Sequence, residues 1–463
     1  MRFKLTLIIF LKIFLTIKSL LPRNVKIKGR NFINATTGKQ IILNGPNIVV
    51  KGPPYLPMVT GNLMCNDIID EYCISKGNCT SCSTFNEADI KNLYNNGWNT
   101  IRLGVIWAGA QPNDENKLDE KFVENLHKIL NLTDFFNINV ILDNHGDMVG
   151  SQGCGNGVPT WVQKKAAGEL FGKPLETAFP YNLFSNVKKL PGYSECGNNL
   201  TKWEKFSGDP NYNLLNECCQ LLNSGNPGEL GLTTISQKTM KYLFSNKDGR
   251  NYFCRYWRLM AEAVKDHPSA FMAELMNEPA YIFRKDLFET WKECSIEIIK
   301  VIPDMSVSLS ETFQGSFIPR WLTWSFPFFR ISRETELYIK NNKNLVYTFH
   351  WYGSPKSIET TINDAFEIGK AWDVPIFATE FGSCDFWREA KKQNISTTYW
   401  HYSTYCNTNP IYGNRKVPEE TFGACILGWG GSSSSDFCKN FGSKTLFDKD
   451  KNEFLIKEKE KLY

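Results

Sequence analysis

Beyond its first 20 residues the sequence has no apolar run long enough to cross a bilayer, which takes roughly 20 helical residues. It has no repeat of fixed period and no low-complexity linker, so nothing marks it as an array of small units or divides it in two. Its 53 Lys and Arg are nearly balanced by 48 Asp and Glu, and the basic residues form no stripe that could track phosphates. A nucleic-acid partner is therefore not expected. Near Cys79-x-x-Cys82 there is neither a His nor a second closely spaced Cys pair to complete four ligands, which argues against a zinc site. At the C-terminus Lys457, Lys459 and Lys461 alternate with Glu458 and Glu460, and residues 451–463 read as a solvated charged tail.

What is present is core material. With 42% apolar and 14% aromatic residues in 463, the chain is neither disordered, collagen-like nor a coiled coil. Three average domains, or fewer if one is an α/β barrel with insertions, would fit that length.

Residues 1–20 open with Arg2 and Lys4 and continue in an apolar run broken by Lys12, which suggests a secretory signal peptide. An uncleaved anchor or a buried helix stays open, because no clean small-residue cleavage pair follows. Two further features agree with a secreted protein or one in the lysosomal or endomembrane lumen. Asn-x-Ser/Thr acceptors occur at Asn34, Asn78, Asn131, Asn199 and Asn394. The 14 cysteines are even in number, and Cys65, Cys73, Cys79 and Cys82 crowd one polar stretch, as in a loop pinned by disulfides.

Short β-branched or apolar runs recur from about residue 40, each followed by a polar loop and a helical segment, the pattern of a parallel sheet with helical crossovers. Strands are expected at 41–50, 100–107, 139–143, 270–276, 305–309, 345–350, 375–379 and 423–429. Helices at 87–95, 120–136 and 252–266 carry apolar stripes at helical spacing. Eight such strands close a (β/α)8 barrel, so the expected fold is α/β, a single domain over 21–450. The stretch 150–250, rich in Gly, Asn and Pro and holding Cys154, Cys196, Cys218 and Cys219, reads as an elaborated loop on the barrel top, with a separate small domain as the alternative.

Reactive side chains of such barrels sit at the carboxyl ends of the strands. Asn277-Glu278-Pro279 follows the fourth expected strand and Glu380-Phe381-Gly382 the seventh. Asp143-Asn144-His145-Gly146-Asp147 ends the third, Arg102 lies in the second, His350-Trp351-Tyr352 ends the sixth, and Trp429 ends the eighth. Two carboxylates across one cleft are what glycosidic cleavage needs, since one protonates the leaving oxygen while the other attacks or stabilises the anomeric carbon. Arg102 and Tyr352 would hold Glu380 ionised, and a less charged, partly desolvated niche near Asn277 would favour a protonated Glu278. Glu278 is thus expected as acid/base and Glu380 as nucleophile, with aromatic planes for the apolar faces of sugar rings. Asp266, Glu274 and Glu311 are left as structural carboxylates. No metal or organic cofactor is implied, because this chemistry uses only protons, a carboxylate and water.

The set Arg102, Asn277-Glu278-Pro279, His350-Trp351-Tyr352 and Glu380-Phe381-Gly382, in that order, resembles glycoside hydrolase family 5 over about residues 28–450. Gly45-Pro46-Asn47 followed by Lys51-Gly52-Pro53-Pro54-Tyr55, and His145-Gly146-Asp147 followed by Gly155-Asn156-Gly157-Val158-Pro159-Thr160-Trp161, are similar to segments of its endoglycoceramidase-related branch. The resemblance implies that Lys51, His145 and Asp147 contact substrate hydroxyls, that Asn277 binds the 2-hydroxyl, and that His350 and Tyr352 flank the nucleophile. It implies a retaining β-glycosidase that splits glycan from ceramide in glycosphingolipids, with peripheral contact with membranes or micelles. An endo-β-glucanase, or a β-glucosidase acting on glucosylceramide or steryl glucoside, keeps the same machinery. A silent carbohydrate- or lipid-binding barrel is a third reading. Some relatives carry a β-sandwich after the barrel, whereas only 17 residues follow Leu446 here, so none is expected.

Overall fold

The structure, a computed structural model, describes residues 21–50, 55–57, 59, 85–95, 97–113, 115–147, 149–190, 192–194, 222, 227–311, 330–353, 356–400 and 402. Several expectations lie outside these residues: the segments 1–20, 423–429 and 451–463, the sites Lys51 and Trp429, the acceptors Asn78 and Asn199, and Cys65, Cys73, Cys79, Cys82, Cys196, Cys218 and Cys219.

Two strands, β1 (Val25–Lys28) and β2 (Asn31–Asn34), form an antiparallel hairpin ahead of the barrel. The barrel comprises β3 (Asn44–Ile48), β4 (Thr100–Gly104), β5 (Asn139–Asp143), β6 (Ala270–Glu274), β7 (Ser306–Ser310), β8 (Leu345–Trp351), β9 (Ile376–Phe381) and β10 (Ser396–Tyr399). All neighbours run parallel and β10 closes the ring between β9 and β3. Residues of β4, β5, β6 and β7 are buried on both faces, which is why these strands read as continuous apolar or small-residue runs rather than alternating ones.

The last strand is a correction to the expected order. Closure falls to Ser396–Tyr399, not to 423–429. Ser-Thr-Thr-Tyr lacks an apolar run, yet its hydroxyls suit a polar barrel end: Ser396 Oγ accepts from Leu43 N at 3.0 Å, and Thr398 Oγ1 donates to Thr379 O at 2.6 Å. β-branched threonine fits the pleat while its hydroxyl finds a backbone partner.

Helices α1 (Glu87–Asn95), α2 (Trp107–Ala110) and α3 (Glu120–Phe135) precede β5. Asp119 caps α3 by accepting from Phe122 N at 2.9 Å. The insertion between β5 and β6 holds α4 (Thr160–Ala167), several 3-10 turns and α5 (Thr234–Ser245), and it builds a small apolar cluster around Leu175, Val187, Leu230 and Ile235. Its described residues thus include helices as well as loop. Then come α6 (Lys247–Val264), α7 (Arg284–Val301), α8 (Arg333–Asn341), α9 (Ile358–Trp372) and α10 (Cys384–Lys392). A disulfide, Cys254–Cys294, clips α6 to α7. Among the described residues no helix is long and apolar enough to cross a membrane.

One barrel end is plugged. Val25 and Phe32 of the hairpin pack on Leu43, Phe271, Val346 and Phe377, which stand at or beside the starts of β3, β6, β8 and β9. Buried Arg23 donates to the carbonyls of His267, at 2.5 Å, and Ala270. The carboxyl-end mouth is left as the place for chemistry.

Candidate active site

Arg102 of β4 is the hub. It is fully buried, and its guanidinium offers five N–H donors in a fixed fork. Nε donates to Glu274 Oε2 at 2.6 Å. Nη1 donates to Glu380 Oε1 at 2.5 Å and Asn47 Oδ1 at 2.8 Å, and Nη2 to Asn277 Oδ1 at 2.9 Å, with Asp143 Oδ1 at 3.1 Å. Four strands and the β6 loop thus converge on one cation. Burial opposes the charge, but the carboxylates of Asp143, Glu274 and Glu380 outweigh it and hold the guanidinium protonated more firmly than usual.

Glu380 ends on the inner face of β9, its side chain only 5% exposed. The β8–β9 register slips between Phe349 and His350, so that His350 pairs with Glu380 instead of Thr379. Such an irregularity re-aims side chains, and here it sets imidazole and carboxylate side by side. Tyr352 donates to Glu380 Oε2 at 2.7 Å. The expected partners Arg102 and Tyr352 therefore bond its two oxygens from opposite sides.

Glu278 sits nearer solvent, its side chain 31% exposed, on a backbone with φ +35°. Positive φ is costly for a residue with a Cβ, and the following Pro279 narrows the choices further, so the Asn-Glu-Pro turn holds local strain. The less charged, partly desolvated niche expected for Glu278 near Asn277 contains an ionisable partner, His350. His350 Nδ1 lies 2.8 Å from Glu278 Oε1, and Asn277 spends its carbonyl on Arg102. Burial alone would pull the His350 imidazole down, but the charge of Glu380 and the hydrogen bond to Glu278 raise it above its ordinary value.

Glu278, His350 and Glu380 each place one donor atom within 4.8 Å of the other two. Among the described residues this is the set of His, Cys, Asp and Glu close enough to hold a metal ion. A divalent cation there would face the Arg102 guanidinium already bonded to Glu380, so the donor set suits protons better.

On the β5 side, Asp143 Oδ2 meets His145 Nδ1 at 2.8 Å. Burial, with Glu380 and Asp147 nearby, pushes the Asp143 carboxyl up to about 7 against the pull of Arg102 and His350. His145 lies 3.6 Å from Asp147 and 3.7 Å from Glu380, and Asn277 Nδ2 donates to Asp147 Oδ1 at 3.3 Å. The two branch-like segments lock together. A Cβ on Gly157 would stand 2.5 Å from Gly146 Cα, so only glycine lets these backbones touch, and Asn156 Oδ1 accepts from Asp147 N at 2.8 Å.

Arg102, His145, Asp147, Asn277, Glu278, His350, Tyr352 and Glu380 are thus linked in one network. Three further members had no expected role at the site. Trp400, directly after β10, stacks on His145 with ring centroids 4.7 Å apart at 16°. Glu274, left as a structural carboxylate, is Arg102's partner and accepts from Thr379 Oγ1 at 2.9 Å. Thr379 also contacts His350 Nε2 at 3.1 Å. Glu311 and Asp266 stay outside the network, Glu311 being held by Arg284 at 2.5 and 2.9 Å.

Against known proteins, the chain is similar to endoglycoceramidases. It is 26% identical over 243 residues to that of Cyanea nozakii, covering 52% of this chain and 39% of the relative. It is 23% identical over 405 residues to endoglycoceramidase I of Rhodococcus hoagii (strain 103S), covering 83% and 70%. The chain spans about two fifths of the length of the Cyanea protein and of its Hydra vulgaris counterpart. Among solved structures its fold is like that of an endogalactoceramidase, with TM-score 0.53, 14% identity and coverage of 84% and 76%. The lactosyl-enzyme intermediate of Rhodococcus sp. endo-glycoceramidase II gives TM-score 0.52, 16% identity and coverage of 83% and 76%. The model of the cellulase family, glycosyl hydrolase family 5, matches residues 70–178 and 233–411, and with more than half its length so matched the chain belongs to that family.

Proposed function

We propose that the protein is a retaining β-glycosidase that cleaves the bond between glycan and ceramide in glycosphingolipids. The observation that carries the reaction class is the pair of carboxylates. One oxygen of Glu278 and one of Glu380 lie within 4.8 Å of each other, a close approach that favours the carboxyl separation of about 5–5.5 Å in a retaining enzyme over the separation of about 6.5–9.5 Å by which an inverting one seats a water.

In this reading Glu380 attacks the anomeric carbon while Glu278 protonates the departing ceramide oxygen. The C–O bond to ceramide breaks as the glycosyl ester forms. Water then attacks the anomeric carbon, Glu278 takes its proton, and the bond from that carbon to Glu380 breaks to release the carboxylate. The asymmetry between the two supports the roles. Glu380 is buried and held by Arg102 and Tyr352, as a fixed nucleophile should be, and Glu278 stands at the open mouth beside a proton partner, His350. Asp147, His145, Asn277 and Trp400 would line the sugar site.

The lipid substrate is supported by the similarity to endoglycoceramidases. The cellulase family model favours the second reading, an endo-β-glucanase or β-glucosidase. Incubation with a ganglioside, glucosylceramide and a soluble β-glucan side by side tests them. Intact oligosaccharide plus ceramide from the ganglioside is expected, turnover of the glucan alone would select the second reading, and activity on none would select a silent binding barrel.

We further propose an oxidising compartment, outside the cell or in an endomembrane lumen, and N-glycosylation. In support, Cys254 and Cys294 are joined, Cys154 is disulfide-bonded, and Asn131 and Asn394 are exposed. Carbohydrate release by an amidase and a mass shift on reduction and alkylation test both.

A further inference from the structure

The insertion between β5 and β6 carries a knuckle at residues 178–185. Asn182 N donates to Ala178 O, Leu183 N to Pro180 O, Phe184 N to Tyr181 O and Ser185 N to Tyr181 O, which winds the chain into a tight turn. Tyr181 points inward and is 6% exposed, whereas Phe179, Leu183 and Phe184 are 79%, 75% and 75% exposed. Three large apolar side chains on one convex turn are not explained by folding, since turning them inward would remove apolar area from water.

The knuckle is fixed to the mouth. Thr177 bridges Thr233, Ala178 N donates to Leu232 O at 2.9 Å and Thr234 N to Glu176 O at 2.7 Å, so its root is joined to the start of α5. From α5, Gln237 Nε2 donates to Ala280 O at 2.7 Å, two residues beyond Glu278. The same β6 loop presents Phe283, 44% exposed and packed on Tyr281 with centroids 5.3 Å apart. In sequence the exposed Lys173, Lys188 and Lys189 stand on either side of the tip, Lys188 paired with Glu176 at 3.5 Å. The tip lies between the two stretches that match the family model, 70–178 and 233–411.

We infer that Phe179, Leu183 and Phe184 insert into the surface of a lipid bilayer or micelle and seat the mouth of the barrel on it. A stable protein interface takes roughly 20–30 residues a side, far more than a three-residue convex tip supplies. Rigid aromatics suit the boundary between acyl chains and headgroups. The inference deepens the glycolipid reading and rests on it for its purpose. The surface contact itself is tested without any glycolipid, so the two fail separately.

The test is sedimentation of the full chain with phosphatidylcholine vesicles that contain no glycolipid, beside a Phe179→Ser/Leu183→Ser/Phe184→Ser variant. The wild type is expected to pellet with the vesicles and the variant to partition about tenfold or more weakly. Turnover of a soluble aryl glycoside and the melting temperature are expected to match in the two proteins. A wild type that stays in the supernatant, or a variant that pellets equally, overturns the inference. So does a wild-type dimer, seen by analytical ultracentrifugation and lost in the variant, which would give the tip to a second copy.

Discussion

His350 Nδ1 is 2.8 Å from Glu278 Oε1 while its Nε2 is 3.1 Å from Thr379 Oγ1. Thr379 gives its hydroxyl proton to Glu274 Oε1 at 2.9 Å, so that oxygen accepts from His350 Nε2–H. The neutral tautomer is then fixed as Nε2–H, and its bare Nδ1 faces Glu278 Oε1 as the acceptor for the proton the two groups share. Thr379→Val removes the acceptor and keeps the shape. Activity on glycolipid is expected to fall about tenfold with a displaced limb in the pH–rate profile. Thr379→Ser is expected to restore the profile. An unchanged profile in the valine variant would remove Thr379 from the proton network.

Glu278 as the acid predicts an effect that depends on the leaving group. Glu278→Ala is expected to lose about 10²–10⁴-fold with a ceramide or alkyl leaving group and far less in the bond-breaking step with an activated aryl glycoside. Pre-steady-state release of the aryl alcohol checks it. Equal losses on both substrates would contradict the assignment.

Arg102 is bound to three carboxylates and two amides with no exposure. Arg102→Lys keeps the charge but cannot reproduce the fork, and it leaves buried acceptors unpaired. A loss of about 3–5 kcal/mol in urea unfolding is expected, together with loss of turnover. Native-like stability would show that the hub is not structural.

The raised His350 imidazole fixes a sign for stability against pH. Its folded value lies above the ordinary 6.5, so the stabilisation is complete below 6.5 and is lost as pH climbs through the raised value. The buried Asp143 carboxyl, raised from 3.8 to about 7, adds a contribution that is complete below 3.8 and fades by about 7. The urea midpoint should therefore fall on going from about pH 6 to about pH 9, and His350→Gln should flatten that slope. A wild-type midpoint that rises over this interval, or a slope unchanged by the substitution, would contradict the pairing.

Strands β4 to β9 were legible because each is a short run of β-branched, apolar or small residues bounded by polar loops, and the motif residues at their carboxyl ends followed from barrel geometry. Ser396–Tyr399 was not legible, since a strand whose hydroxyls bond backbone inside a polar barrel end carries no apolar signature. The aromatic role given to Trp429 was tied to that misplaced strand, and Trp400 stands after the strand that closes the ring. Glu274 and Thr379 were hidden for another reason. Each sits inside an apolar run, and only the convergence of strands shows that a buried arginine and a histidine require them. The part His350 plays beside Glu278 was not legible, because the two lie 72 positions apart and only the closing of the barrel brings them together.

The most direct test of the two-glutamate account is inactivation with a 2-deoxy-2-fluoro-glycoside followed by mass mapping of the labelled peptide. A single glycosyl ester on Glu380 is predicted, because the fluorine slows both formation and hydrolysis of the ester while the activated leaving group speeds formation alone, so the ester accumulates. An adduct on another residue, or turnover of the reagent with inversion and no adduct, would contradict the account.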